Sequence, residues 1–400
     1  MPASMLRVGF VAPGDPRDPD AVSGMPHRMF ELLRARGLEV VALPPPSMVS
    51  PGRPRWRRAV TGLIPEPVKQ RLRSRTAPVR PASPGPPRER VLSWARDRAR
   101  ELEPMLAASR PDVLFGCCAT ALFYDLKGHP PIVHFSDATA RLLGDGYSMF
   151  REMEPERREA YDELERGTLS RVAAGLYPSA WALASAVGDY GLDPARGHVV
   201  PMGATVMPEA GERIEADPPS RGNLRLCIVA GDPARKRVGL AVEAARLLRE
   251  RGWNVTLTHV GTPLAGAEGL DYVRSVGRLR LSSARDRARH RTVLRESHVM
   301  VLPSVAEAFG IAPCEAAHFG RPSVVSDAGG LPSVVEDGRT GVVVPVDAGA
   351  EAYARAVEEV AGDEARYRAM SEAALERARR VLNWEAWGDR AAEIVRTAVG

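Results

Sequence analysis

Apolar runs of strand length alternate with amphipathic stretches of helix length along the whole chain, an order that predicts parallel sheets joined by crossover helices. LRVGFVAPG (6–14) reads as a buried strand, SGMPHRMFELLRARG (23–37) as a helix stopped by Gly, and LEVVALP (38–44) as the next strand. After an interruption come a helix near 88–108, strands PDVLFG (111–116) and PPIVHFSD (130–137), a helical region over 156–171, strand AAGLYP (173–178), a helix from Ser179, and GHVVPMG (197–203). Residues 205–223 have no periodicity and many turn formers, so they read as a linker. The alternation then resumes with LRLCIVAGD (224–232) and runs through WNVTLTHVG (253–261), YVRSVGRL (272–279), HVMVLPS (298–304), RPSVVSD (321–327) and GVVVPV (341–346) to two or three closing helices. The fold class expected is α/β: two facing Rossmann-like, doubly wound domains with a ligand cleft at the carboxyl ends of the strands. Their expected limits are 1–204 and 205–383, with a last helix, about 384–400, returning to the first domain.

A chain of 400 residues suits two cores rather than one. No run of 18 apolar residues occurs, and the first strand begins without a charged leader and cleavage site, so a cytoplasmic location is expected. The cysteines Cys117, Cys118, Cys227 and Cys314 form no CxxC pair and no zinc-type spacing, which predicts reduced thiols and no metal site. A net charge of +5 does not imply nucleic acid, because the excess is local: between Arg53 and Arg80 nine Arg or Lys face only Glu66. That segment, with Trp56, Leu63, Ile64, Val68 and Leu72 among its charges, reads either as a solvated insertion or as a peripheral contact with an anionic membrane or acidic acceptor. The dinucleotide fingerprint G-x-G-x-x-G is missing from VGFVAPGDPRDP, which argues against a nicotinamide oxidoreductase.

The most informative chemistry lies in EAFGIAPCE (307–315), between the strand ending near Ser304 and a helix expected to carry Pro313 at its first position and Glu315 in its first turn. The amides of Phe309, Gly310 and Ile311 then fall at the positive end of that helix, a place for a phosphate, and Gly310 lets a ligand approach the backbone. Glu307 and Glu315 stand on either side. Carboxylates repel phosphate, so both should accept hydrogen bonds from hydroxyls flanking it, which fits a sugar, a diphosphate and a ribose in a row.

Residues 303–344 resemble the glutamate-x7-glutamate signature of the family 4 retaining glycosyltransferases of the GT-B fold. The resemblance implies that Glu307 contacts the donor hexose and Glu315 the nucleotide ribose. VAGDPARKRVGL (229–240) resembles the family's basic pair, which makes Arg235 and Lys236 the expected partners of the diphosphate. Two departures stand out: Arg237 occupies the usual glycine position, and Asp232 follows Gly231 where an arginine is common, which leaves open whether Arg235 or Arg237 gives the second positive contact. AVSGMPHRMFELL (21–33) resembles the small loop that brings the first domain to the donor phosphate, through Gly24, and PPIVHFSDAT (130–139) the strand end bearing an active-site histidine. Here strand alignment puts Asp137 in that slot and His134 three residues inside, on the other face. Met202 stands where an Asn is common.

The implied activity is transfer, with retention, of a hexose-type sugar from a UDP or GDP sugar to a small-molecule, natural-product or glycoconjugate acceptor. No cofactor or metal is expected, and no nucleic acid. Two other readings are a sugar-nucleotide epimerase or phosphorylase of the same fold, and a catalytically silent binding subunit.

Overall fold

A computed structural model describes residues 5–18, 24–43, 88–263, 266–267 and 269–400; the basic segment 53–80 lies outside them. Six parallel strands form the first sheet: β1 (Arg7–Val11), β2 (Glu39–Ala42), β3 (Val113–Cys117), β4 (Ile132–Phe135), β5 (Ala174–Tyr177) and β6 (Gly197–Val199), in spatial order β2-β1-β3-β4-β5-β6. The second sheet holds β7 (Leu224–Ala230), β8 (Val255–Gly261), β9 (Val273–Gly277), β10 (Val299–Leu302), β11 (Ser323–Ser326) and β12 (Gly341–Val344), in order β12-β11-β10-β7-β8-β9 and likewise parallel. Strands β3, β4, β5, β10 and β11 are buried throughout, as the unbroken apolar runs require of strands covered on both faces.

Around the first sheet stand α1 (Met25–Ala35), α2 (Arg88–Ser109), α3 (Thr120–Phe123), α4 (Ala140–Gly146), α5 (Ser148–Arg151), α6 (Pro155–Leu169) and α7 (Ala180–Gly188). Around the second stand α8 (Val238–Glu250), α9 (Ala284–Glu296), α10 (Ile311–His318), α11 (Leu331–Val334), α12 (Ala350–Ala361) and α13 (Glu364–Arg380), and α14 (Trp384–Thr397) closes the chain. In each sheet the winding reverses once, between β1 and β3 and between β7 and β10, and a crevice opens beyond the strand ends at such a reversal.

The last helix packs on the first sheet's side. Trp387 meets Phe115 and Phe135 edge-on at 6.1 and 6.2 Å, and Arg36, which caps the end of α1, reaches Glu385 and Asp389. The chain therefore crosses between the sheets twice, and the two crossings touch. Trp384 Nε1 donates to Ala204 O at 3.1 Å, while Cys314 Sγ contacts both Met202 O, at 3.9 Å, and Leu382 O, at 3.4 Å. The four cysteines are free, and three of them are buried. Among the described residues no helix is long and apolar enough to cross a membrane.

Candidate active site

Two loops meet at the reversal of the second sheet. Residues 231–237 leave β7 and residues 303–310 leave β10, and these strands are neighbours. Glu307 is 8% exposed and carries two cations: Arg235 Nη1 bonds its Oε2, and Lys236 Nζ lies 3.5 Å from Oε1. Lys236 also donates to Val229 O at 3.2 Å, and Arg235 to Ala306 O at 2.5 Å. Arg237 turns elsewhere. It sits in the left-handed region at φ +44, caps α8, bonds Pro303 O and reaches the Tyr353 hydroxyl at 3.5 Å. That backbone conformation favours glycine, which makes Arg237 a costly occupant of a glycine position. The second positive charge beside Glu307 is thus Arg235.

The helix after this loop starts at Ile311 with Gly310 as its N-cap, two residues earlier than expected. Pro313 is therefore its third residue, and Glu315 begins the second turn. Gly310 supplies the cap with φ +115, and a Cβ there would also come within 2.8 Å of Leu331. The loop is clamped from behind by Gly329 and Gly330, where added Cβ atoms would stand 2.1 Å from Glu307 O and 2.2 Å from Ala308 O. Phe309 is buried at 2% exposure, which fixes the turn, and Ile311 is half-buried. From the first domain, Tyr147 accepts the Ala308 amide at 3.1 Å and lies under the Arg235 guanidinium, 4.9 Å from ring centre to Cζ. Burial, then the neighbouring Glu307 charge, push the Tyr147 phenol up to about 12.

Glu315 is 3% exposed. Its Oε1 accepts the Val206 amide at 3.0 Å, and its Oε2 lies 3.6 Å from Nε2 of His290 on α9. Burial pushes the carboxyl up to about 8, with the Val206 amide, Lys236, the Thr205 amide and Arg28 pulling the other way. Arg28 and Thr205, which act on this carboxyl, line a cavity of about 810 Å³ together with Gly24 and His27 of the first domain, Leu279 and Arg287 of the second, and Trp384. Arg28 forms no ion pair among the described residues. It donates to Thr205 O at 3.4 Å and lies 6.0 Å from the Trp384 ring.

The first domain presents the end of β4. His134 is wholly buried, 3.4 Å from the Thr120 hydroxyl and edge-on to Phe123, and burial drops its imidazole to about 4. Asp137 is half-buried just beyond the strand. Burial holds its carboxyl above the usual range against its own amide and that of Ala138. The Asp137 and Glu307 charges both act to raise the Tyr147 phenol. The structure thus gathers Glu307, Arg235, Lys236, Phe309 and Gly310 around two neighbouring loops, with Gly24 on a cavity and Glu315 buried behind Arg28 and Thr205 of its lining. Tyr147, His290 and Arg28 belong to the same region but carry no sequence signal, since each depends on chain segments far apart.

Residues 21–203 match the family model of the glycosyl transferase 4-like domain, and residues 224–363 that of glycosyl transferases group 1. Among curated proteins the chain is 49% identical over 72 residues to alpha-maltose-1-phosphate synthase of Mycolicibacterium smegmatis, covering 18% of this chain and 19% of that protein. It is 28% identical over 229 residues, 54% of each chain, to D-inositol 3-phosphate glycosyltransferase of Paenarthrobacter aurescens. The matches thus span about a fifth and about half of these relatives' lengths. Among solved structures, sucrose-phosphate synthase from Thermosynechococcus elongatus superposes over 98% of both chains with a TM-score of 0.67 at 19% identity, a likeness of fold, and that fold is GT-B.

Proposed function

We propose, from the premise that the chain belongs to the glycosyltransferases through both of its domains, that it moves a hexose-type sugar from a UDP or GDP sugar to a small-molecule or glycoconjugate acceptor, with retention and without an obligatory metal. The observation that carries this reading is the pairing of Glu307 with Arg235 and Lys236 at the winding reversal, eight residues before a second buried glutamate. Glu307 neutralises the two cations. An arriving diphosphate takes them over as its own partners and frees the Glu307 carboxylate for sugar hydroxyls. Glu315 accepts the ribose hydroxyls. Gly24 lets the first domain approach the phosphates.

The bond from the anomeric carbon to the diphosphate oxygen breaks while the acceptor oxygen attacks from the same face. The departing diphosphate takes the acceptor's proton, and Lys236, Arg235 and the loop amides near Phe309, Gly310 and Ile311 stabilise its growing charge. Asp137, beside Tyr147, faces the positive charge that develops on the sugar. By its name the D-inositol 3-phosphate relative acts on a phosphorylated polyol, so phosphorylated polyols and sugars head the acceptors to try.

The test is a thermal-shift screen of UDP, GDP, ADP and TDP, followed by anomeric analysis of the product by NMR. The true product nucleotide at 100 times its Kd adds about 2.7 kcal/mol of stability. Stabilisation by none of the four, or a product of inverted configuration, sinks the reading. Donor turnover that needs no acceptor points to the epimerase or phosphorylase instead.

A further inference from the structure

Glu315 and His290 are a buried ionisable pair, at 3% and 5% exposure. They come from different helices, α10 and α9, and face each other at 3.6 Å, within one small side-chain adjustment of a hydrogen bond. Among the described residues His290 Nε2 has no hydrogen-bond partner, while the far carboxylate oxygen is held by the Val206 amide of the crossing. The charged groups that act on Glu315 are Arg28 from α1 and Lys236 from the loop before α8, and the Thr205 and Val206 amides face it from the crossing. A carboxylic acid presents one good acceptor, whereas a ribose diol asks for two, so the acid must ionise to hold the diol.

We propose that Glu315 and His290 hold one proton between them, and that it passes from Glu315 Oε2 to His290 Nε2 when ribose hydroxyls engage the carboxylate. The O–H bond breaks, the N–H bond forms, and an acid beside an imidazole becomes a carboxylate beside an imidazolium. No proton leaves the protein. His290 is then a positioning residue, acting through Glu315, and the inference rests on the reading that Glu315 takes the ribose. The buried environment agrees, holding the carboxyl up to about 8 and the imidazole down to about 4, so near neutrality the pair keeps a single proton on the oxygen side. The gain is a nucleotide site whose affinity does not drift with pH although its key acceptor is a raised carboxyl.

The test is calorimetric titration of the full chain with UDP and with GDP, in buffers of different ionisation enthalpy, between pH 6 and 9. The buffer dependence counts protons exchanged on binding, and the nucleotide's own phosphate contributes equally to each protein. His290→Leu removes the proton's destination, so its complex should release nearly one more proton at pH 7 than wild type, and its affinity should rise about tenfold per pH unit until near pH 8. His290→Gln, which keeps a polar partner without proton uptake, should show the same extra release and guards against misfolding of the Leu variant. Equal proton counts and parallel pH profiles for wild type and both variants overturn the proposal. If Glu315→Ala binds both nucleotides as tightly as wild type, the ribose reading itself fails, and the proposal with it.

Discussion

Glu307 balances Arg235 and Lys236, and this gives its removal an unusual signature. Glu307→Ala frees both cations for a diphosphate, so binding of the free nucleoside diphosphate should stay within a few-fold of wild type or tighten, while turnover falls at least tenfold, about 1.4 kcal/mol of barrier. Glu315→Ala should do the opposite, weakening the nucleotide itself; calorimetry beside initial rates separates the two, and an exchanged pattern reverses the donor in the cleft. Asp137→Asn should lower turnover at least tenfold with nucleotide affinity unchanged, whereas His134→Ala should be felt in melting temperature. A larger rate loss for His134→Ala would transfer the role. Glu307, Arg235, Lys236 and Glu315 were legible because their chemistry sits in two short stretches with a recognisable order. Tyr147 was not, since 161 residues separate it from the Ala308 amide that it accepts, and no local pattern encodes that meeting.

At the scale of elements, hydrophobic alternation placed the strands and the long helices, because β-branched runs and amphipathic spacing are properties of each segment alone. The short helices α3, α4 and α5 escaped, being too short to display a period. The start of α10 was placed two residues late because Pro313 suits a first turn at its third residue as well as at its first. The loop ahead of it depends on another element. Gly330→Ala would press a methyl onto Ala308 O, and should cost roughly 1–3 kcal/mol of stability together with nucleotide affinity. A variant that melts and binds like wild type would show that the clamp yields.

Glu165 is buried, and burial pushes its carboxyl up to about 8, with the Ala140 amide at the start of α4, the helix that leads to Tyr147, pulling the other way. The fold prefers this carboxyl protonated. Its contribution is therefore complete below the ordinary glutamate range and is lost as pH rises through about 8, on the order of a few kcal/mol. Glu165→Gln should reduce the fall in melting temperature between pH 5 and 9, leaving the share due to Glu315. An unchanged slope would mean that Glu165 is ionised at neutral pH.

At the scale of the molecule, the two-sheet plan followed from the repeated alternation and the linker, whereas the contact between the two crossings could not, because it joins Met202, Ala204, Leu382 and Trp384 across nearly half the chain. Trp387, 1% exposed against Phe115 and Phe135, anchors the return, and Trp387→Ala should cost about 3–5 kcal/mol, read as a lower midpoint in denaturant. A loss below 1 kcal/mol would mean that α14 is dispensable to the first domain. The paired crossings also constrain motion. A single connection is a swivel, about which two bodies can turn as well as bend, but two connections lying side by side act as a pinned hinge. Such a hinge would let the cleft open and shut about their common line while resisting rotation around it. On the proposed reading, with the donor on one side and the acceptor on the other, such a hinge would bring the two together at the same azimuth on every closure, which would preserve the choice of receiving hydroxyl from one turnover to the next.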